Sequence, residues 1–533
     1  MIPRFCQRFA AAAVLIAVGA CSALPPGVTP APRGAADAGT LTLPTGQQVA
    51  VLPGQLAYTG EARFRWPDGR IYDGAWVDGQ PHGAGTETLP DGSRYQGMWR
   101  QGERHGEGTL TNADGRYRGG WAHGNRHGQG TFRGSDGSRY DGHWHQGQRH
   151  GYGRYVTAAG AAYEGDWARD QPHGFGRLET AAGASYEGQW RAGDRHGYGR
   201  AEEVSGLVYE GTWADDERHG FGRERRPDGS LYVGDWQAGN AHGQGREDRP
   251  DGSFHDGSWE LNQPLGPGLR RTASGIEISG MWNRDMVSTG LLSLPTGPEY
   301  AGPMFSERNR VASTRLQSWL SSAAERGDPY AQLLLGTLYL DFDDPPPDQT
   351  AARRWLRPAA DAGIAEAQYR LALTYRGVNP PRMVERLSAA AQQQHPEANA
   401  VLGGLYQDGD IVPRNLQRSV HYYERAVAAG SVTARNDLAW LLATTAQSSL
   451  RDGRRAVDLI RPIALYSGAW QYLDTLAAAW AAAGRFDQAA AAARQAIDTV
   501  HREFGEDAAQ ILAPLRRRLA GYEAGRIHVE PQP

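Results

Sequence analysis

Between residues 163 and 176 the chain reads YEGDWARDQPHGFG, which brings Tyr163, Trp167 and His173 together with three carboxylates inside fourteen positions. Such a set offers an acid, a base and hydrogen-bond donors, the side chains that proton-transfer chemistry needs. The same set returns as YEGQWRAGDRHGYG, with Tyr186, Trp190 and His196, and earlier as YQGMWRQGERHGEG, with Tyr95, Trp99 and His105. The tryptophans stand at 76, 99, 121, 144, 167, 190, 213, 236, 259 and 282, always 22 or 23 residues apart. A catalytic constellation is built once, whereas side chains on a fixed beat over this length belong to a repeat architecture. Metal binding fares no better. Equivalent histidines in successive hairpins lie two strands apart, about 9.6 Å, and ligands must converge to about 2.0–2.1 Å from one ion. No phosphate loop, nucleophile elbow or zinc-protease helix accompanies them. The expectation is therefore no catalytic residue, no cofactor and no metal, with Tyr, Trp and His as structural residues and the His bonded to a turn.

The elements that position these residues follow from one unit, SRYQGMWRQGERHGEGTLTNADG, residues 93–115. Tyr95, Gly97 and Trp99 alternate, so they share one face of a strand. RQGER turns the chain at Gly102, HGEGTLT is the return strand, and NADG is a second turn of Asp-Gly type. Each unit is then a β-hairpin paired with the next. Few aliphatic residues are present to cover such a sheet, so a Tyr or Trp ring lying over a neighbouring Gly is expected to shield the backbone.

The pattern Y-x-G-x-W-x-x-G-x-x-H-G-x-G resembles the MORN repeat. The resemblance implies an elongated antiparallel β-hairpin sheet over residues 43–305. It weakens at the far end, where His255 and Ile278 replace Tyr and Leu265 replaces His, as terminal units of a repeat array do.

After residue 305 the period changes. GDPYAQLLLGTLY at 327, GIAEAQYRLALTY at 363, QHPEANAVLGGLY at 394 and GSVTARNDLAWLL at 430 echo one another at spacings of 36, 31 and 36. Apolar residues recur at helical spacing, with Ala where helices cross closely. These units resemble Sel1-like repeats, and residues 472–497 resemble a TPR. The resemblance implies an α-solenoid of some six helix pairs over 306–525, with a tail at 526–533, and a concave surface for proteins or peptides. The acidic run from Asp341 to Asp348 lacks the bracketing Glu of a calcium loop and reads as a solvated loop.

The N-terminus carries Arg4 and Arg8, then an apolar run from Phe9 to Ala20. That is too short for a mature membrane span and reads as a signal peptide over 1–20. It ends in VGAC, which resembles the bacterial lipobox. The resemblance implies lipidation of Cys21, and Ser22 after it implies sorting to the outer membrane, the protein facing the periplasm. Residues 22–42 are rich in Pro, Ala and Gly and read as a tether. Every one of the 56 basic side chains is Arg. Residues 51–305 hold 27 Arg against 34 Asp and Glu, a balance that argues against nucleic acid and against strong attraction to anionic lipid. Together these features describe a tethered, non-enzymatic scaffold that recruits envelope proteins through its helical repeats. The alternative is a module whose aromatic sheet binds lipid or glycan.

Overall fold

The computed structural model describes residues 24–305, 312–341, 348–505 and 508–530. The signal peptide, Cys21, Ser22 and most of the acidic run lie outside them. The chain divides into two units, residues 1–159 with 166–171, and residues 160–165 with 172–533.

In the first unit successive antiparallel hairpins are made by Ile71–Val77 with Gln80–Thr88, Arg94–Arg100 with Glu103–Asn112, Gly115–Ala122 with Asn125–Gly134, and Arg139–His145 with Gln148–Val156. Each hairpin also pairs with the one before it, as Gly83 with Trp99 and Gly106 with Trp121. The tether expected over 22–42 is shorter than its composition suggests. Val28 is buried, Ala31 N–H donates to Ala50 O at 2.7 Å, and Gly39–Thr42 is a strand paired on both sides, with Gln48–Val51 and with Gly60–Arg65. Leu41, Val51 and Phe64 are fully buried there. Apolar residues interspersed among the prolines have enough surface to bury, and the strand pairing accounts for the backbone groups.

In the second unit the hairpins continue through Ser185–Arg191 with Asp194–Glu202, Val208–Ala214 with Glu217–Arg225, Leu231–Gln237 with Asn240–Asp248, Phe254–Glu260 with Gln263–Arg271, and Glu277–Asn283 with Met286–Ser293, closed by Glu299–Pro303. Helices follow: α1 Thr314–Glu325, α2 Pro329–Asp341, α3 Gln349–Asp361, α4 Ala365–Leu373, α5 Pro380–Gln392, α6 Pro396–Asp408, α7 Leu416–Ala428, α8 Val432–Thr444, α9 Gly453–Ser467, α10 Trp470–Ala482, α11 Phe486–Phe504 and α12 Ala509–Glu523. Sequence neighbours pack on one another throughout, so the expected six helix pairs form. Starts are capped by side chains that accept otherwise unpaired amides, Ser313 from Leu316, Asn415 from Arg418 and Asp452 from Arg455.

Two features of the second unit differ from expectation. The change of period near residue 305 does not separate two cores. Trp282, Val287, Leu292, Tyr300 and Met304 of the last hairpins are buried in one cluster with Leu316, Leu320, Leu356 and Leu387 of the helices. The terminal hairpins carry the aliphatic residues that earlier ones lack, and α1 covers them. Nor do the helices lie only beyond the last hairpin. Arg435 of α8 donates to Pro227 O at 2.7 Å, Pro462 of α9 lies against Gly206, and a Cβ at Gly430 would meet Pro250. The turns between hairpins offer free carbonyls and proline rings, and the helix ends meet them.

Candidate functional surfaces

The recurrent Tyr and Trp form a ladder. Tyr95 stands edge-on to Trp99 of its own hairpin at 5.2 Å and to Trp121 of the next at 5.1 Å. Tyr186 repeats this with Trp190 at 5.0 Å and Trp213 at 5.4 Å, and Tyr163 meets Trp190 at 5.3 Å. Edge-to-face rings at such separations add attraction beyond their area. Most of the indole N–H groups reach back one hairpin to a glycine carbonyl, Trp167 to Gly153 at 3.0 Å and Trp190 to Gly176 at 3.0 Å, while Trp76 donates to Ala62 O. Trp99 is buried without such an acceptor. Most of the phenols donate to backbone carbonyls three residues on, as Tyr95 to Met98 O at 3.0 Å and Tyr186 to Gln189 O at 2.9 Å, while Tyr163 donates to His173 O at 3.5 Å. Burial pushes the Tyr186 phenol up to about 12 and those of Tyr95 and Tyr140 higher, so the rungs stay neutral.

The two glycines of H-G-x-G have different reasons. The register slips after Gly97, where Met98 alone faces His105, Gly106 and Glu107. Gly106 takes φ +63° in that bulge, and Gly197 takes +64° in its own, values that favour residues without Cβ. The second glycine lies under a ring. A Cβ at Gly108 or Gly199 would stand inside Tyr95 or Tyr186, which is the ring-over-glycine packing expected from the sequence. The turns after the repeat tryptophans from Trp76 to Trp259 have positive φ at both central residues, as at Gln101 and Gly102, the twist-matched two-residue hairpin turn. The Asp-Gly turns work otherwise. Asp91 and Asp136 accept the amide two residues on, at 2.8 Å each.

The histidines do not share one turn-bonding role. His173 Nδ1 accepts from Ala192 N–H at 3.5 Å, His196 Nδ1 stands 3.9 Å from the Asp215 carboxylate, and His105 packs on His123 at 6.2 Å. His173 thus meets a turn amide, while the next amide of such a turn bonds the carbonyl one residue before the His, Gly124 N–H to Arg104 O at 3.1 Å and Gly193 N–H to Pro172 O at 3.0 Å.

Sequence reasoning missed the arginine that precedes many of these histidines. Arg104, Arg149, Arg195 and Arg218 lie over the rings of the ladder, Arg149 at 4.2 Å from Trp167 and Arg195 at 4.1 Å from Trp213. The recurring R-H-G was the available signal. The basic cluster of the sheet sequence, RERRPDG at residues 223–229, has Arg223 and Arg226 held in ion pairs. Arg226 is held between Glu224 and Glu247, Arg249 pairs with Glu247 at 2.8 Å, and Arg223 pairs with Glu210 at 2.8 Å. One rung is a titratable substitute. His255 occupies a tyrosine position, 5.2 Å from Trp259 and 5.3 Å from Trp282, with both ring nitrogens unpartnered. Burial, and then the Arg270 guanidinium, push it down to about 4.

Because the ladder is buried, its ring faces are not presented to solvent. Tyr186, Trp190, Tyr209, Trp213 and Arg195 instead line a groove of about 580 Å³. The aromatics that do reach solvent, Tyr152, Phe175, Tyr198 and Phe221, come from the residue between the two glycines. On the helical side, Tyr406 of α6 stacks flat on Tyr422 of α7 at 5.5 Å, and the Arg418 guanidinium bonds the Tyr406 hydroxyl at 3.2 Å.

Hairpin ladder and helix pairs together define a repeat protein with two kinds of unit. Eight stretches, 72–94, 95–115, 117–139, 140–161, 163–185, 186–201, 209–231 and 232–254, match the MORN repeat, and three, 329–364, 365–384 and 396–431, match the Sel1 repeat. The uncharacterized protein NMB1327 of Neisseria meningitidis serogroup B is 31% identical over 126 residues, 23% of this chain and 26% of its own length. The chain thus spans about a quarter of that curated relative. Among solved structures, a Sel1 repeat protein from Oxalobacter formigenes is 25% identical over 37% of this chain and 58% of its own, with a TM-score of 0.29. The protective antigen c5321 of uropathogenic Escherichia coli, displaying an SLR fold, is 22% identical over 40% and 51%, with a TM-score of 0.31. Sel1 repeats suggest a scaffold for protein–protein interaction, and both repeat families are typically non-catalytic.

Proposed function

We infer that this chain is a membrane-tethered, non-enzymatic scaffold of the bacterial envelope that recruits proteins through its helical repeats. The observation that carries the reading is the run of Sel1 repeats over 329–431, continued by helix pairs to Glu523. Their buried faces are alike in Ala and Leu, whereas outward positions differ, as with the Tyr406–Tyr422–Arg418 group. Uniform rungs suit a support, and variable outer residues suit recognition. The lipobox resemblance at Cys21 supports an outer-membrane anchor, the chain facing the periplasm.

A second reading has its own observation. Phe175, Tyr198 and Phe221 are 56%, 55% and 62% exposed and hold equivalent places opposite Gln189, Thr212 and Asp235. Their spacing of two strands, about 9.6 Å, is close to the two-sugar period of a β-1,4-linked glycan, whose C–H faces stack on aromatic rings.

One experiment separates the two. A photo-crosslinking residue is placed in the full chain at Tyr406 or at Tyr198, in cells carrying either Cys21 or Cys21→Ser. The scaffold reading expects discrete protein adducts at 406, and loss of membrane retention in the Cys21→Ser form. Protein adducts absent at 406, with glycan adducts at 198, would favour the sheet. Unchanged membrane retention would remove the anchor.

A further inference from the structure

The helical half already holds one extended segment of its own chain. Helix α12 ends in a paired-carbonyl turn. Gly525 takes φ +67°, its N–H donates to Tyr522 O at 2.9 Å, and Arg526 N–H donates to Gly521 O at 2.9 Å. That turn sends residues 526–530 back across the helices without helical structure of their own. Ile527 and Val529 face solvent, while His528 and Glu530 are half-buried, the alternation of an extended strand.

The inward residues meet a built surface. Glu530 N–H donates to Thr444 O of α8 at 2.9 Å, and its carboxylate accepts from Trp440 Nε1 at 3.3 Å. The His528 ring lies 5.7 Å from the Trp440 ring. Arg518 of α12 approaches the same indole at 5.4 Å and is fixed by two bonds to Asp474 of α10, at 2.9 and 2.6 Å. Trp440 is thus met from two sides, by His528 and Glu530 of the non-helical segment and by Arg518 of α12. The fit is incomplete. A cavity of about 370 Å³ remains among Pro514, Arg517, Tyr522 and Ile527, and the buried Tyr522 hydroxyl has no partner.

We propose that the groove formed by Trp440, Thr444, Asp474 and Arg518 is a binding site for an extended acidic peptide, and that residues 527–530 occupy it as a tethered stand-in. The inference rests on the recruiting role given above to the helices and adds the ligand chemistry. A ligand reproduces the Glu530 contacts, namely a carboxylate on the indole N–H and a backbone amide on the Thr444 carbonyl. It gains over the chain's own segment by placing a larger apolar side chain in the unfilled cavity and a hydrogen-bond acceptor on Tyr522. A segment joined to its groove by a single turn is present at an effective concentration of the order of mM. A free peptide must therefore outcompete it or wait for its release.

The test uses a fluorescent peptide, GRIHVEPQP, copied from residues 525–533, and the chain ended after Gly525, its helicity checked by circular dichroism. Saturable binding to the shortened chain is expected, at least about tenfold tighter than to the full chain. A peptide with Lys in place of Glu530 should lose that binding, and Trp440→Phe, which keeps a ring and removes the N–H, should weaken it. Should the shortened chain not fold, the full chain carrying His528→Ala and Glu530→Arg replaces it. Equal binding to full and opened chains, or no binding to a folded opened chain, overturns the proposal. Crosslinks to proteins at Tyr406 would still stand in that case, so failure here is distinct from failure of the scaffold reading.

Discussion

The hairpins and the helices solve the same burial problem with different residues. Among the hairpins of either unit the buried large side chains are almost all rungs, and within a unit a ring such as Tyr72 or Tyr209 touches the Trp of its own hairpin and of the next. In the helices burial is pooled. Leu438, Leu442, Ile460, Leu473 and Leu512, from four helices, belong to one cluster that runs from α6 to α12. A sheet with rings over glycines is stabilised through nearest neighbours, whereas the helical core shares each contact among several elements. The lesson is that damage should stay local in the first case and spread in the second.

Three perturbations break or sharpen that contrast. The largest effect is expected from Trp213→Ala, which removes a buried ring, its bond to Gly199 O and its contacts to Tyr186 and Tyr209. The cost should be about 3–5 kcal/mol. Hydrogen exchange should loosen residues 186–236 and leave α10–α12 unchanged. Equal loosening of α10–α12 would show that the rungs are not energetically local.

Next comes pH at the substituted rung. His255 is neutral in the folded chain down to about 4, against 6.5 ordinarily, with Arg270, Glu247, Arg249 and Asp256 as its charged surroundings. Below 6.5 the unfolded chain takes up a proton that the folded chain refuses. Stability is therefore full above that pH and declines as pH falls towards 4, by about 2 kcal/mol at pH 5. His255→Tyr should flatten this part of the profile. Identical pH profiles for the two chains, followed by denaturant melts, would show that burial does not hold the imidazole neutral.

The smallest effect compares two glycines. At Gly199 an added methyl enters the Tyr186 ring, whereas at Gly404 in α6 the nearest atom is the Tyr423 hydroxyl at 3.6 Å. Gly199→Ala should cost about 1–3 kcal/mol, and Gly404→Ala should gain about 0.5–1 kcal/mol. Thermal melts that move in the same direction would remove the packing role of the second glycine.

Much of this was legible in the chain itself. A strict period with Tyr, Trp and Gly at alternating places leaves one arrangement, paired hairpins with rings over glycines, because strand geometry puts those residues on one face. The later spacing of Ala and Leu specified helix pairs for the same kind of reason, a periodicity set by the backbone alone. Contacts between residues far apart in sequence were not legible. The bulge that separates the roles of the two glycines, the arginines over the rings and the neutralised Arg226 depend on which neighbours arrive across a strand. The burial of Val28, Leu41 and Leu43, the core that joins Met304 to Leu316, and the return of residues 526–530 onto Trp440 depend on it too. Local pattern determines an element because its energy is summed over adjacent residues. Where elements meet is decided by shape and hydrogen-bond satisfaction between surfaces, which only the assembled chain contains.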